Sequence, residues 1–239
     1  NFTDNFPYAY GKLSVKLVNQ KKNLPLNKNK EISFSQIEII TRGSAKIINL
    51  KDIKKLPTLL RKKVNKDLKI IVKKNNNFSS LNFKKIPNVM GILNLTPDSF
   101  SDGGKFNKKK EGENQAFNLL KFGADIVDVG GESTRPGSKA ISNKKEWERI
   151  ESTIKKTSKK ISLSLDTRKS EIMEKGIKAG IKIINDVSGL NYDLKTINIL
   201  KKYKTPFVIQ HSQGTPENMQ NNPTYKNELL DIYDFFEKK

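Results

Sequence analysis

Cysteine is absent from all 239 residues. Its absence excludes a disulfide framework and a thiolate metal site, and it fits a reducing compartment, so a cytoplasmic location is expected. No stretch approaches the roughly 18 consecutive apolar residues that a bilayer span needs, and no signal-peptide pattern opens the chain. No membrane partner is therefore expected. Neither GxxxxGK[ST] nor GxGxxG occurs, which removes the usual support for a phosphate-loop or dinucleotide fold. Histidine is nearly absent as well. His211 is the only one, and no His or carboxylate spacing suggests a dedicated zinc cage.

Acidic residues are also scarce. Against 25 Asp and Glu stand 46 Lys and Arg, a formal charge of +21. A nucleic-acid binder would gather such charge into a stripe with interleaved aromatics. Here the lysines are scattered among Asn and Ile, as in "NLPLNKNKE", "VKKNNNF" and "GKFNKKKEG". That pattern is a compositional bias spread over a solvated surface, and no nucleic-acid partner is expected.

What is present divides in two. Residues 1–86 carry little chemistry and read as a small α+β extension. "KLSVKLVN", "ISFSQIEII", "AKIINL" and "LKIIVKK" read as strands, "DIKKLPTLLRKKVN" as a helix interrupted or started by Pro57, and "KKNNNFSS" as a linker. From residue 87 to 239 the pattern becomes regular. The strands "NVMGILNL", "ADIVDVGG", "ISLSLDT", "IKIINDVS" and "TPFVIQHS" each precede a helix. The helices carry stripes such as Trp147, Ile150 and Ile154, or Leu229, Ile232, Tyr233 and Phe236. Five βα units in strict alternation predict a parallel sheet with crossover helices.

An open doubly wound sheet and a (β/α)8 TIM barrel both fit that alternation. Each predicted strand finishes on polar residues: Asn94, Asp128, Asp166, Asn185 with Asp186, and Gln210 with His211. In a barrel all carboxyl ends converge on one mouth, whereas an open sheet gathers only those at its switch point. The barrel is therefore the expected class. About the first five of its units are present, and five cannot close it, so the chain is expected to be C-terminally incomplete.

Two loops are too long for plain turns. "NLTPDSFSDGG" exceeds the ~2–6 residues of an ordinary βα connection and holds an unpaired Phe100. "GGESTRPGS" sets a hydroxyl, a guanidinium and a proline on a loose backbone. Asp166 reads either as a partner for the next helix N-terminus or as a ligand group, and Asn185 and Asp186 share that ambiguity. Together an amide and a carboxylate suit a flat heterocycle that presents donors and acceptors. His211 is either a ligand contact or a loop anchor. A neutral Asn as sole side-chain ligand would suit Mg²⁺ that keeps its waters and leans on substrate phosphates.

"MGILNLTPDSFSDGG", "ADIVDVGGESTRPGS", "SLDT", "IINDVSG" and "HSQGTPENMQ" resemble, in order and spacing, the dihydropteroate synthase family, and the likeness covers about residues 87–226. The resemblance implies a pterin-binding (β/α)8 barrel in folate biosynthesis, a transferase and sulfonamide target. Such an enzyme joins 6-hydroxymethyl-7,8-dihydropterin pyrophosphate to 4-aminobenzoate and releases pyrophosphate. It implies catalytic roles for Asn94, Asp102 and Arg135, with Asn94 also holding Mg²⁺. It implies pterin contacts from Asp166, Asn185 and the position of Gln210. Thr96, Phe100, Ser101, Thr134 and Pro136 would belong to the loops around aminobenzoate and pyrophosphate.

The family usually places Met where Gln210 stands, so that contact departs from the pattern. The family's later Asp, Lys-containing and Arg-x-His motifs would lie beyond Lys239. The 239 residues by themselves are accordingly expected to be inactive, and the complete protein to be a homodimeric synthase. A methyltetrahydrofolate methyltransferase barrel would not need the "TPDSFSDGG" loop. A non-catalytic or degenerate pterin-binding protein is the alternative if the protein ends at Lys239.

Overall fold

Residues 7–74, 78–81, 87–96, 109–133, 139–214 and 222–239 are described in a computed structural model. The chain divides into two units, Asn1–Asn76 with Asn227–Leu230 and Asn77–Lys226 with Asp231–Lys239.

In the first unit, β1 (Tyr8–Tyr10), β2 (Leu24–Leu26) and β3 (Asn29–Phe34) form an antiparallel sheet with β3 central. A separate hairpin pairs β4 (Gln36–Ile40) with β5 (Ala45–Asn49). "ISFSQIEII" is therefore two strands in two sheets, broken at Ser35, whose N–H donates to Pro7 O at 2.8 Å. "KLSVKLVN", expected as a strand, lies in helix α1 (Gly11–Asn19). Its alternating Leu13, Val15 and Leu17 also satisfy a helical stripe at i and i+4, and a tertiary contact decides between the two. Ser14 is buried, donates to Lys30 O at 2.6 Å and pairs with the Ser33 hydroxyl at 2.7 Å. "LKIIVKK" is likewise no strand, since helix α2 runs through it from Thr58 to Val72. Leu60, Val64 and Leu68 recur every fourth residue and pack into the small core with Ile48 and Ile53, which carries the helix across the β-branched run. Pro57 stands immediately before α2, where its missing N–H costs nothing. This unit also holds a cleft of about 1160 Å³ among Tyr8, Leu13, Leu24, Ile53 and Leu68.

In the second unit the five predicted strands all form. They are β6 (Met90–Asn94), β7 (Ile126–Gly130), β8 (Leu163–Asp166), β9 (Ile183–Asp186) and β10 (Phe207–Ile209). Between and after them run α3 (Lys109–Lys121), α4 (Asn143–Thr157), α5 (Ser170–Lys178), α6 (Thr196–Tyr203) and α7 (Glu228–Glu237), the last counted with this unit from Asp231 onward. The strands are parallel and lie in chain order, each beside its sequence neighbour. A doubly wound sheet reverses its strand order at a switch point. Unbroken sequential order with right-handed crossovers instead keeps the helices in one layer and curls the sheet toward a barrel. The packing agrees, since α3 lies on α4, α4 on α5 and α5 on α6.

Strand period separates the two faces. Leu93, Val129, Leu165 and Ile184 share one register row and are buried with Ile150, Ile154, Ile172 and Met173 of the helices. The next residues along, on the opposite face, are the polar ones.

Candidate functional site

Parallel register places Asn94 opposite Gly130, Gly130 opposite Asp166, and Asp166 opposite Asn185. Four adjacent strands thus deliver three of the predicted side chains to one row at their carboxyl ends, on the face away from the helix core. Glycine at the second position keeps the row open. A Cβ on Gly130 would sit 3.0 Å from Asn94 Oδ1 and 3.5 Å from Asp166 Oδ2, so these two oxygens converge over the glycine.

Asp166 could have served only the following helix, but it does not. The first N–H of α5, at Ser170, donates to Asp193 Oδ2 at 2.9 Å instead. Asp166 Oδ1 is buried and, among the described residues, has no hydrogen-bond partner. Burial foremost, then the charges of Asp128, Glu146, Asp186 and Glu132, push its carboxyl up to about 8. Asp186, by contrast, is used by the turn that follows β9. It accepts from Ser188 N at 2.8 Å, Ser188 Oγ at 2.7 Å and Leu190 N at 3.1 Å. Of the adjacent pair, Asn185 faces the row and Asp186 holds the loop.

Asp128 was expected at a strand end and is not there. β7 continues to Gly130, so Asp128 lies one layer deeper on the same face, 6 % exposed. It accepts from Asn185 Nδ2 at 2.9 Å, and the Ser164 hydroxyl stands beside it. Burial pushes its carboxyl up, and Ser164 and Asn185 offset part of that rise.

Thr96 is buried just past β6. Gln210 follows β10 with its side chain exposed, and Val208, not Gln210, stands opposite Asn185. His211 acts on its own surroundings. Its Nε2 pairs with Tyr225 Oη at 3.1 Å and its ring packs 4.7 Å from that of Phe235. Phe100, Ser101, Asp102, Thr134, Arg135 and Pro136 lie outside the described residues.

Beside the row sits a buried ionic cluster for which no role was expected. Glu132 accepts from Lys169 Nζ at 2.8 Å, Arg168 Nε at 2.9 Å and Ile141 N at 2.9 Å. Lys169 also donates to Glu146 at 2.7 Å and Ile141 O at 2.7 Å, and Thr167 Oγ1 donates to Glu146 at 2.6 Å. Burial opposes the Glu132 charge, yet Lys169, Ile141 N–H and Arg168 together hold its carboxyl below the usual range. The cluster ties both flanks of residues 134–138 to the start of α5. Its sequence signal is slight: one Glu inside a glycine loop and an Arg-Lys pair after β8.

The large cleft of the first unit is a weaker candidate, because none of the buried unpartnered polar atoms lines it. Among the described residues no group of three or more His, Cys, Asp or Glu could hold a metal. The hard oxygens that the row offers are those of Asn94, Asp166 and Asn185. Among the described residues, too, no helix is long and apolar enough to cross a membrane.

Residues 90–239 match the family described as pterin binding enzyme. A Synechocystis protein named dihydropteroate synthase is 39% identical over 150 residues, covering 62% of this chain and 52% of the relative. The crystal structure of Yersinia pestis dihydropteroate synthase in a sulfonamide drug complex superposes with a TM-score of 0.62 at 38% identity. That match covers 66% of this chain and 57% of the other. The Xanthomonas albilineans enzyme, solved with 4-aminobenzoic acid, gives a TM-score of 0.56 at 34% identity over 64% of this chain and 54% of its own. The chain spans about half the length of the curated relatives it matches.

Proposed function

This chain belongs to the pterin binding enzyme family, and from that premise we propose that it carries the pterin and pyrophosphate side of a dihydropteroate synthase site. The reaction proposed for the protein that bears these residues joins 6-hydroxymethyl-7,8-dihydropterin pyrophosphate to 4-aminobenzoate. The bond from the pterin methylene carbon to the pyrophosphate oxygen breaks, its electron pair leaving with pyrophosphate. The arylamine nitrogen forms the new bond and then loses a proton.

The observation that carries this reading is the single register row holding Asn94, Gly130, Asp166 and Asn185. Asn94 Oδ1 and Asp166 Oδ2 converge over Gly130, so the amide and the carboxyl can act on neighbouring parts of one ligand, the carbon that bears the pyrophosphate lying between the ring edge and the anion. Asp166 and Asn185 would hold the edge of the heterocycle by hydrogen bonds. A carboxyl held near 8 is poised to keep its proton in the empty site and give it up when N–H donors arrive. Asn94 supports a Mg²⁺ reading. One neutral oxygen leaves the rest of the coordination sphere to water and substrate phosphate, as Mg²⁺ prefers. The bound ion would neutralise the departing pyrophosphate. Asp102 and Arg135 of the two long loops are proposed to close over the anion, on the family resemblance. A cytoplasmic homodimer completes the proposal, the location resting on the absence of cysteine.

Calorimetry with 6-hydroxymethylpterin tests the pterin half. Binding to the full chain should weaken about 10- to 100-fold in Asp166→Ala, the usual loss for a hydrogen bond to a charged group. Turnover of both substrates with Mg²⁺ tests the whole reaction. Wild-type protein that binds neither the pterin nor its pyrophosphate ester would remove the proposal.

A further inference from the structure

We propose that Asp128 is a positioning residue for the pterin edge, capturing the Asn185 amide nitrogen so that the Asn185 carbonyl oxygen is the group left to meet a ligand. This rests on the pterin reading above. Its starting point is the contact from Asn185 Nδ2 to Asp128 Oδ2 at 2.9 Å.

The contact skips a strand. Asn185 is on β9 and Asp128 on β7, with β8 between them. The register puts Ser164 opposite Asp128 on that middle strand. A serine is short enough to let the amide of Asn185 pass over it, and Gly130, above Asp128 on β7, adds no side chain to block the way. Asp128 therefore forms a floor beneath the row rather than part of the row.

The chemistry of the pair fixes its sense. A primary amide rotates readily about its last torsion and has two nearly isosteric orientations. A carboxylate oxygen facing it accepts, so the amide must present nitrogen there. The orientation of Asn185 is thereby chosen before any ligand arrives. A pterin edge offering N–H then meets an acceptor oxygen, whereas the flipped amide would set donor against donor and leave both unpaired. Discrimination of this kind is strong because a buried polar group without a partner is costly.

Stability gives no reason for the carboxylate. Asp128 is 6 % exposed, its described partners are the neutral Asn185 amide and Ser164 hydroxyl, and the described hydrogen bonds and ion pairs give it no cation. A buried acid held only by neutral groups is a cost to the fold, and an apolar side chain would pack there more cheaply. A cost kept at the floor of a binding row is accounted for by the orientation it imposes.

The test uses the full chain with Asp128→Ala, Asp128→Asn, Asn185→Ala and the double Asp128→Ala/Asn185→Ala variant. Two readings are taken: the side-chain amide signals of Asn185 by NMR, and the affinity for 6-hydroxymethylpterin. Asp128→Ala should move the Asn185 amide signals and weaken pterin binding about tenfold or more, the size of one buried hydrogen bond left unmade. Asp128→Asn still offers an acceptor oxygen and should retain more affinity than Asp128→Ala. The double variant should bind no worse than Asn185→Ala alone, because one residue acts through the other.

Losses that multiply in the double variant overturn the inference, as do Asn185 signals that ignore Asp128→Ala. The same holds for unchanged affinity in a folded Asp128→Ala protein. If the wild type binds no pterin while the Asn185 signals still respond, the positioning contact stands and the pterin reading falls.

Discussion

Asp166 carries the chemistry of the row in its proton. Its ordinary value is 3.8, and burial with four neighbouring acids raises it to about 8 in the folded chain. Between those values the unfolded chain has lost the proton that the native state keeps. The native state binds more protons there, so stability falls as pH rises from about 4 to about 8 and levels off above. Asp166→Asn removes the titration. Its urea midpoint should therefore gain on wild type progressively across that window, and a difference that stays constant from pH 5 to pH 8 would show that Asp166 is not protonated in the fold. The residue was legible as a strand-end acid. Its protonation was not, because all four acids that raise it, Asp128, Glu146, Asp186 and Glu132, arrive from other parts of the chain.

At the scale of elements, the strength of the second unit lies in how β7, α4 and the β8–α5 turn are clamped. Lys169 is the hub, 5 % exposed and shared between Glu132 and Glu146, the latter fully buried. Replacing such a cation leaves the fully buried Glu146 without a positive partner and Glu132 with Arg168 alone. Lys169→Met should cost about 3–5 kcal/mol, measured by urea denaturation followed through Trp147 on α4. A loss below 1 kcal/mol would mean the cluster is solvated. Elements of the second unit were readable where an apolar stripe agrees with the layer it meets, which α7 does not show, since Leu229, Tyr233 and Phe236 of its stripe are exposed. Trp147, Ile150 and Ile154 give a helix face, and "IVDVG" gives a strand buried on both sides. In the first unit the same kind of reading failed at α1 and at the end of α2. Leu13 and Leu17 suit either period, and the run Ile70–Val72 has strand propensity that the stripe through Val64 and Leu68 overrides.

For the whole molecule, two cores matter more than one. Among the described residues the larger holds sixteen that are buried and apolar, and the smaller holds four, Ile48, Ile53, Val64 and Leu68. Buried apolar area sets resistance to denaturant, so the first unit should unfold first. Trp147 is the chain's single tryptophan and lies in the larger core's shell. Far-ultraviolet circular dichroism should therefore show a loss at low urea that tryptophan fluorescence does not register. Coincident curves would show that the chain unfolds as one unit.

The sequence by itself determined the second unit's βα alternation, the polar ends of its strands and the family motifs, because these depend on local period and on residues a few positions apart. Tertiary structure alone decided that Asn94, Asp166 and Asn185 share a row with glycine between them. It also placed Asp128 under that row, and it consumed Asp186 and His211 in holding loops. The reason is physical: register, depth and hydrogen-bond partnership are set between strands that are tens of residues apart, and no local pattern encodes which of two neighbouring polar groups will face the ligand.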